Sequence, residues 1–198
     1  MGPAPEDAWD AWHPVQLADR LRPSPAIWYI VGGWALDLWH GHGTRPHGDL
    51  DCAAIATDLP GLLDRLNDLT FFAARDGRLT PLPPGPLPPK ARQFWGLDPA
   101  SRVWRVDMMP EPGTRSHWTY KRDATIRLPR AKIVHRTDGG IPYLAPEAVL
   151  LFKAKHRRDK DEGDFEAALP KLSIERRRLL ASWLDIAHPG HDWSTRLR

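Results

Sequence analysis

The stretch that decides the fold is residues 27–55, IWYIVGGWALDLWHGHGTRPHGDLDCAAI. It begins with a continuous apolar, aromatic and β-branched run at 27–31, which is typical of a buried central strand. Gly32 and Gly33 end this run, and residues 34–39 predict a helix. The beginning of the stretch therefore predicts a strand that leads through a glycine turn into a helix.

Residues 45–55 alternate in character and predict a second strand, on which Arg45, His47, Asp49 and Asp51 project from one face. Two carboxylates held this close raise each other's pKa. A divalent cation relieves that repulsion, and Mg²⁺ combines one or two protein carboxylates with water and phosphate oxygens. The pattern indicates a metal site at the two aspartates, and the simpler alternative is an edge strand with solvated acids.

Gly32 and Gly33 lie where free backbone amides and the positive end of a helix dipole can bind phosphate. A Gly-Gly pair by itself is most often a tight turn, and it lacks the spacing of the dinucleotide-binding motif. Together with Asp49 and Asp51, however, it supplies donors for phosphate and acids for a metal. The combination favours a metal-nucleotide site.

The rest of the chain indicates an α/β (α+β) protein with three segments. We expect an N-terminal extension at 1–23, one domain at 24–145 and a helical element at 146–198. The predicted elements are a short helix within 3–25 that packs as a lid or edge, a helix at 59–69, strands at 101–109 and 118–122, an extended proline-rich surface loop at 81–89, and helices at 147–158, around 164–169, and from Ser173 to near Gly190.

Composition narrows the class of protein. The chain has 198 residues, 41% of them hydrophobic and 27% charged, which is ordinary for a globular protein. The lone Cys52 excludes an internal disulfide and is expected in the core, and no apolar run is long enough for a membrane span. Residues 1–10 lack the pattern of a signal peptide, so we expect a cytoplasmic protein.

Charge and histidine content leave the partner open. The net charge is +3 with a pI near 9.2, which permits a nucleic-acid partner without requiring one. His40, His42 and His47 fit no common zinc spacing, and a polar loop is the better interpretation.

Two motifs carry a family resemblance. Val-Gly-Gly-Trp-Ala-Leu-Asp at 31–37 and Gly-x-x-Thr-Arg-x-His-x-Asp-x-Asp at 41–51 resemble the nucleotidyltransferases of the DNA polymerase β type. They resemble in particular the small enzymes that adenylylate aminoglycosides and lincosamides. The likeness is detailed over residues 28–55 and looser as far as 164. It implies a small mixed sheet flanked by helices. It also implies transfer of a nucleoside monophosphate to a hydroxyl of a small acceptor, with AMP from ATP as the favoured group and another NTP as the alternative co-substrate.

The resemblance also assigns roles. It implies that Asp49 and Asp51 bind the catalytic metals, two Mg²⁺ ions, and that Gly32 and Gly33 hold the nucleotide phosphates. It further requires a third carboxylate from a later strand, for which Asp107 is the natural candidate as metal ligand or proton acceptor. Arg45 and His47 are expected near the nucleotide, where His47 orders Asp49 or contacts phosphate.

A second resembling stretch runs from residue 142 to 164. If it is one helix, Lys153 and Arg157 share a face while Lys155 points away. Similar enzymes place such lysines near the triphosphate, so Lys153 is expected at the nucleotide with Asp161 and Asp164 as orienting partners. A solvated, salt-bridged helix surface is the alternative.

Two further functions stay open at this point. The acceptor could be tRNA, as in toxin-type nucleotidyltransferases, which the basic pI suits. The chain could also be a non-catalytic nucleotide-binding module, which an incomplete acid triad would mark. Asp49, Asp51 and Asp107 are all present, so catalysis with a small acceptor is the favoured prediction.

Overall fold

A mixed eight-stranded sheet forms the centre of the computed structural model, which describes residues 2–88 and 91–198. In chain order the described strands are β1 Trp28–Ile30, β2 Asp51–Ile55, β3 Thr70–Arg75, β4 Arg78–Pro81, β5 Gln93–Asp98, β6 Val103–Glu111, β7 His117–Thr119, β8 Arg127–Pro129, β9 Val134–Arg136 and β10 Pro142–Leu144. The sheet order is β4-β3-β5-β6-β2-β1-β10-β9, with β2 parallel to β6 and β1 parallel to β10.

Helices pack around this sheet. The described α-helices are α1 Pro14–Leu21, α2 Gly32–His40, α3 Leu59–Arg65, α4 Arg130–Ile133, α5 Pro146–Lys153, α6 Asp159–Ala168, α7 Ile174–Ala187 and α8 Asp192–Arg196, with a 3₁₀ turn at Leu169–Lys171. Helix α5 contacts α2, α6 and α7. The fold is therefore the mixed α/β arrangement with flanking helices that the sequence predicted.

The predicted strand, helix and strand of residues 27–55 are present, but the second strand is shorter than expected. Strand β2 begins only at Asp51, and residues 45–50 form bends and loop. Val31 donates its N–H to the carbonyl of Asp51, so the end of β1 and the start of β2 stay joined. Cys52 faces the core with no exposed surface, as predicted.

Two later strands differ from the prediction in extent. Strand β6 runs from Val103 to Glu111 instead of 101–109, so Glu111 belongs to the strand and is no loop residue. Strand β7 covers only His117–Thr119 and pairs with β8 in a separate two-stranded sheet. Local alternation could not show that a second small sheet takes over at this point.

Strands β3, β4 and β5 were not predicted. They lie between residues 70 and 98 and extend the sheet beyond β6. The proline-rich segment was expected to stay wholly outside the sheet, yet Pro81 ends β4. It is tolerated because β4 is an edge strand, where a missing N–H costs no ladder bond. Pro89, the last residue of the predicted loop, lies outside the described residues.

The helices of the C-terminal part also have different ends from those predicted. Helix α5 stops at Lys153 and α6 begins at Asp159, so the expected helix at 147–158 is interrupted. Arg157 has a φ of 23°, which is incompatible with a continuous helix. Earlier in the chain, α3 also ends sooner than predicted, at Arg65 and not at residue 69. Ser173 caps α7 as predicted, accepting from the N–H of Arg176.

One large hydrophobic cluster includes buried residues from all three predicted segments, for example Leu17, Ile30 and Leu184. The boundaries at residues 23 and 145 stay a prediction, because the segments pack into this common core. Among the described residues, no helix is both long and apolar enough to cross a membrane.

Candidate active site

Two of the predicted acids are neighbours across the sheet. Asp51 at the start of β2 pairs in register with Asp107 of β6, so the two side chains lie on the same face. Asp49 lies in the bend just before β2, and all three acids line one cavity of about 640 Å³. A cavity of this size is in the usual range for small-molecule sites. The structure thus brings together the three carboxylates that the sequence singled out.

The acids repel each other. Burial and the charge of Asp49 raise the pKa of Asp51 to about 7. Burial and Asp51 raise the pKa of Asp107 well above its ordinary value, against the hydrogen bond from Gln93. The Gln93 amide donates to Oδ2 of Asp107, while Oδ1 is buried and has no hydrogen-bond partner. This buried oxygen lacks a hydrogen-bond donor and lies near a second carboxylate. A cation bound here would satisfy the oxygen and reduce the repulsion between the two acids.

The donor set suits Mg²⁺ in the presence of a nucleotide. Within residues 2–88 and 91–198, no three His, Cys, Asp or Glu side chains are close enough together to form a complete metal site. Mg²⁺ does not require one, since it binds one or two carboxylates and fills its shell with water and phosphate oxygens. The acids therefore fit a metal that arrives with a triphosphate.

Gly32 and Gly33 open helix α2 directly beside the acids. Gly32 has a φ of 64°, and a Cβ on it would lie 2.6 Å from Oδ2 of Asp51. A Cβ on Gly33 would lie 2.5 Å from the ring of His47. No side chain caps this helix, so its first N–H groups face the cavity without a side-chain acceptor. Glycine is required here by close approach as well as by backbone conformation.

His47 supports this turn from behind and does not line the cavity. Its side chain is only 3% exposed, and Nε2 lies 2.6 Å from Oδ2 of Asp37. The NH1 group of Arg45 lies 3.2 Å from Nδ1, so the hydrogen-bond network assigns the ring proton to Nε2. The expected contact of His47 with phosphate is therefore replaced by a positioning contact, and Asp37 is a residue that sequence reasoning missed.

An ion-pair network links Arg45, in the loop before β2, to α5 and α6. Arg45 donates from Nε and NH2 to Asp164 at 2.9 and 3.0 Å. Lys153 contacts Asp161 at 2.8 Å and Asp164 at 2.7 Å, and its side chain is 9% exposed. Burial raises the pKa of Asp161, but hydrogen bonds from Arg158 and Lys153 outweigh it and hold that pKa well below its ordinary value.

The network confirms the expected partners of Lys153, although not for the expected reason. Lys153 lines the cavity, whereas Lys155 is exposed and does not. Helix α5 ends at Lys153, and Lys155 lies in the turn that follows it. Arg158 and Lys160, which the sequence did not single out, also line the cavity.

A wall of aromatic residues was missed by the sequence analysis. Trp95 of β5 pairs in register with Asp107, and Trp9 packs against it with ring centroids 5.1 Å apart. Both tryptophans line the cavity and are partly exposed. The ten tryptophans of the chain were the available signal, but nothing in their spacing relates residue 9 to residue 95.

The N-terminal residues hold Trp9 in place. Residues 8–12, which we call the N-terminal strap, run beside β6: the N–H of Trp104 donates to Ala8, and that of Trp12 donates to Arg105. A register shift between Gly96 and Leu97 leaves Trp104 on the same face as Asp107. Trp104 is fully buried beneath Trp9 and Trp95.

Comparison with known proteins agrees with this geometry. The family model for aminoglycoside-2''-adenylyltransferases matches residues 15–80, a range that includes Gly32 and Asp51 but ends before Asp107. No curated protein matches the chain. The match covers the motifs on which the sequence resemblance rests.

Solved structures extend the likeness over most of the chain. The lincosamide antibiotic adenylyltransferase LnuA with bound lincomycin is 16% identical, covers 77% of this chain and 91% of its own, and has a TM-score of 0.54. ANT(2'')-Ia in complex with adenylyl-2''-tobramycin is 13% identical, covers 87% and 95%, and has a TM-score of 0.56. This chain has the nucleotidyltransferase fold. Its motifs resemble those of the aminoglycoside and lincosamide enzymes.

Proposed function

We propose that this protein is a metal-dependent nucleotidyltransferase that moves AMP from ATP to a hydroxyl of a small acceptor such as an aminoglycoside or lincosamide antibiotic. The observation that carries the proposal is the register of Asp51 with Asp107 on neighbouring strands. Asp49 and Gly32 line the same cavity. Mg²⁺ needs only one or two protein carboxylates and would complete its shell with water and the oxygens of a triphosphate.

The chain's own residues divide the work. The first N–H groups of α2, at Gly32 and Gly33, donate to phosphate oxygens, and Arg158 and Lys160 neutralise the triphosphate from the cavity rim. Arg45 and Lys153 act as positioning residues, because both are engaged by Asp164. Asp49, Asp51 and Asp107 are the residues that would hold Mg²⁺, two ions by the resemblance, and the metal would supply charge neutralisation for the reacting oxygens.

The reaction balances as a displacement at phosphorus. The acceptor hydroxyl forms a bond to the α-phosphorus of ATP, the bond from that phosphorus to the bridging oxygen breaks, and pyrophosphate leaves with the electron pair. Asp107, which lies in register with Asp51 on the neighbouring strand, is the carboxylate proposed to take the hydroxyl proton. Most of the rate comes from positioning and charge stabilisation, as in phosphoryl transfer generally.

Labelled ATP tests the proposal directly. The protein is incubated with ATP labelled at the α-phosphate, Mg²⁺, and a panel of aminoglycosides and lincosamides, with bulk tRNA in a parallel reaction. We expect label on a small acceptor and none after chelation of the metal. Asp51→Asn should lower transfer by about 100- to 1000-fold, by analogy with removal of a main electrostatic stabiliser.

Asp68→Asn is the matched control, since Asp68 is half-exposed, pairs with Arg20 and lies outside this cavity. It should retain transfer. Label on tRNA alone would replace the acceptor class while keeping the nucleotidyltransferase. Equal transfer by Asp51→Asn and Asp68→Asn would refute the metal site.

A further inference from the structure

The apolar wall of the cavity faces the place where an acceptor hydroxyl would meet Asp107. We define the aromatic wall as Trp9, Trp95, Met109 and Pro110, all of which line the cavity and keep part of their surface exposed. In the sheet, β6 lies between β5, which carries Trp95, and β2, which carries Asp51. Arg45, Lys153 and the start of α2 belong to the Asp51 side, so the aromatic wall is left for the acceptor.

No carboxylate of the described lining is left over for an ammonium group. The lining contains five carboxylates: Asp49, Asp51, Asp107, Glu111 and Asp161. The first three form the proposed metal site, and Asp161 is bonded to Lys153 and Arg158. Glu111 is therefore the one acid that an acceptor could meet beyond the metal site.

Glu111 is already neutralised by its own surroundings. Its Oε2 lies 2.7 Å from NH2 of Arg130, and its Oε1 accepts from the N–H groups of Gly113 and Thr119. Its side chain is only 6% exposed. Among the described residues, Oε2 has no hydrogen-bond partner, but the neighbouring guanidinium of Arg130 offsets the charge of this buried carboxylate and would repel a second cation.

Cations occupy the rim instead. Lys121 and Arg122, on the turn between β7 and β8, both line the cavity, and Lys121 lies 5.7 Å from the centre of the Phe152 ring. Arg122 donates to the carbonyl of Phe152. A polycationic molecule that entered here would meet like charge at the rim and would find no free acid inside, which costs free energy in a desolvated site.

We propose that the acceptor is a hydroxyl compound with a flat apolar ring face and no cluster of ammonium groups, and that its ring lies against Trp9 and Trp95 while its hydroxyl reaches Asp107. This inference rests on the proposed function and narrows its acceptor class by excluding polycations such as aminoglycosides. Trp9 is then a specificity-determining residue that the N-terminal strap contributes to the site.

Two probes separate the alternatives. The protein is first loaded with Mg²⁺ and an ATP analogue that cannot transfer its α-phosphate, and then titrated in a calorimeter with para-nitrophenyl glucoside or with tobramycin. The glucoside is neutral and combines an aromatic ring with sugar hydroxyls, whereas tobramycin is a polycation. We expect the glucoside to bind more tightly than tobramycin at millimolar concentration.

Variants locate the contact. Trp9→Ala should weaken glucoside binding by about tenfold, since a stacked aromatic anchor is lost. Trp9→Phe should restore most of the affinity, and both variants should bind the ATP analogue as the parent does. Trp39→Ala is the matched control, because Trp39 is also partly exposed but does not line the cavity.

The outcomes distinguish the inference from the function on which it rests. If the analogue does not bind with Mg²⁺, the proposed function fails and the inference fails with it. If the analogue binds but tobramycin binds more tightly than the glucoside, the inference alone is wrong. It is equally wrong if glucoside binding is undetectable at millimolar concentration, or is the same in Trp9→Ala and Trp39→Ala.

Discussion

The carboxylates Asp49, Asp51 and Asp107 divide the cavity into two sides, and different interactions stabilise each side. On the Asp51 side, Arg45, Lys153 and the aspartates of α6 form buried ion pairs. On the side of β5, Trp9, Trp95 and Trp104 pack edge to face or tilted against one another. One side is fixed by charge and the other by aromatic packing.

This difference matches what each side is proposed to bind. A triphosphate has the same charge whichever acceptor is used, so it can be bound by charged residues that are held in fixed positions by ion pairs. An acceptor is recognised by shape and by apolar contact, which a packed aromatic surface supplies. Variants that remove one side should therefore leave binding at the other side intact, and this expectation can be tested.

Lys153→Ala should lower stability strongly and should also weaken nucleotide binding. Removal of this buried cation leaves Asp161 and Asp164 with less compensation, and breaking a buried pair typically costs about 3–5 kcal/mol. The loss should be near the lower end, because Arg45 and Arg158 still contact these carboxylates. Denaturant unfolding measures the stability, and titration with an ATP analogue should show weaker binding.

Lys155→Ala is the control for that experiment. Lys155 is exposed and lies beyond the end of α5, so its removal should change the free energy of unfolding by less than about 0.5 kcal/mol. Equal and mild effects of the two substitutions would show that the charged side is a solvated surface.

Trp104→Ala should damage the aromatic side. Trp104 is fully buried with Phe72 and Leu97, and its indole N–H donates to the carbonyl of Pro5. Loss of a large buried aromatic side chain costs about 3–5 kcal/mol when the site cannot collapse, and less where the N-terminal strap can move inward. Acceptor binding should fall while binding of the ATP analogue persists; loss of both together would mean that the two sides are not independent.

Glu162 makes the contact of α6 with α8 sensitive to acid, which is the smallest effect we expect. Burial opposes ionisation, but hydrogen bonds from Trp193, Arg196 and Arg157 lower the pKa of Glu162 to about 2. Since the unfolded value is about 4.3, the stabilisation is fully present above that pH and is lost as the pH falls toward 2.

Glu162→Gln should therefore lower stability at pH 7 by about 1–2 kcal/mol after allowance for solvent screening. The gap between parent and variant should narrow as the pH falls from about 5 to 2, as followed by thermal unfolding. A gap that stays constant with pH would show that the carboxylate charge contributes nothing.

The sequence predicted the part of the site that is local in the chain. Gly32, Gly33, Asp49 and Asp51 lie within twenty residues, and their residue types already indicate phosphate and metal chemistry. The strand and helix around them follow from apolar runs and glycine positions. Asp107 was found because a third acid was required, and the structure places it opposite Asp51.

Prediction failed where distant segments determine the outcome. Residues 45–50 have the alternation of a strand, yet β2 begins at Asp51, because the N-terminal strap lies beside β6 just before β2 reaches it. The strands between 70 and 98 were missed since the pairing of β4 with β3, β3 with β5 and β5 with β6 has no local signature. His47 was expected to order Asp49 or to contact phosphate, but its side chain is buried against Asp37.

The sequence by itself therefore determined the fold class and the candidate chemistry, because glycines, paired aspartates and the charged stretch near Lys153 act through neighbours a few residues away. Only the tertiary structure brings together the aromatic wall that we propose for the acceptor. Trp9, Trp95 and the ion pair of Glu111 with Arg130 are joined by strand pairing and packing across the chain. Such contacts depend on register and burial, which no local pattern of residues specifies.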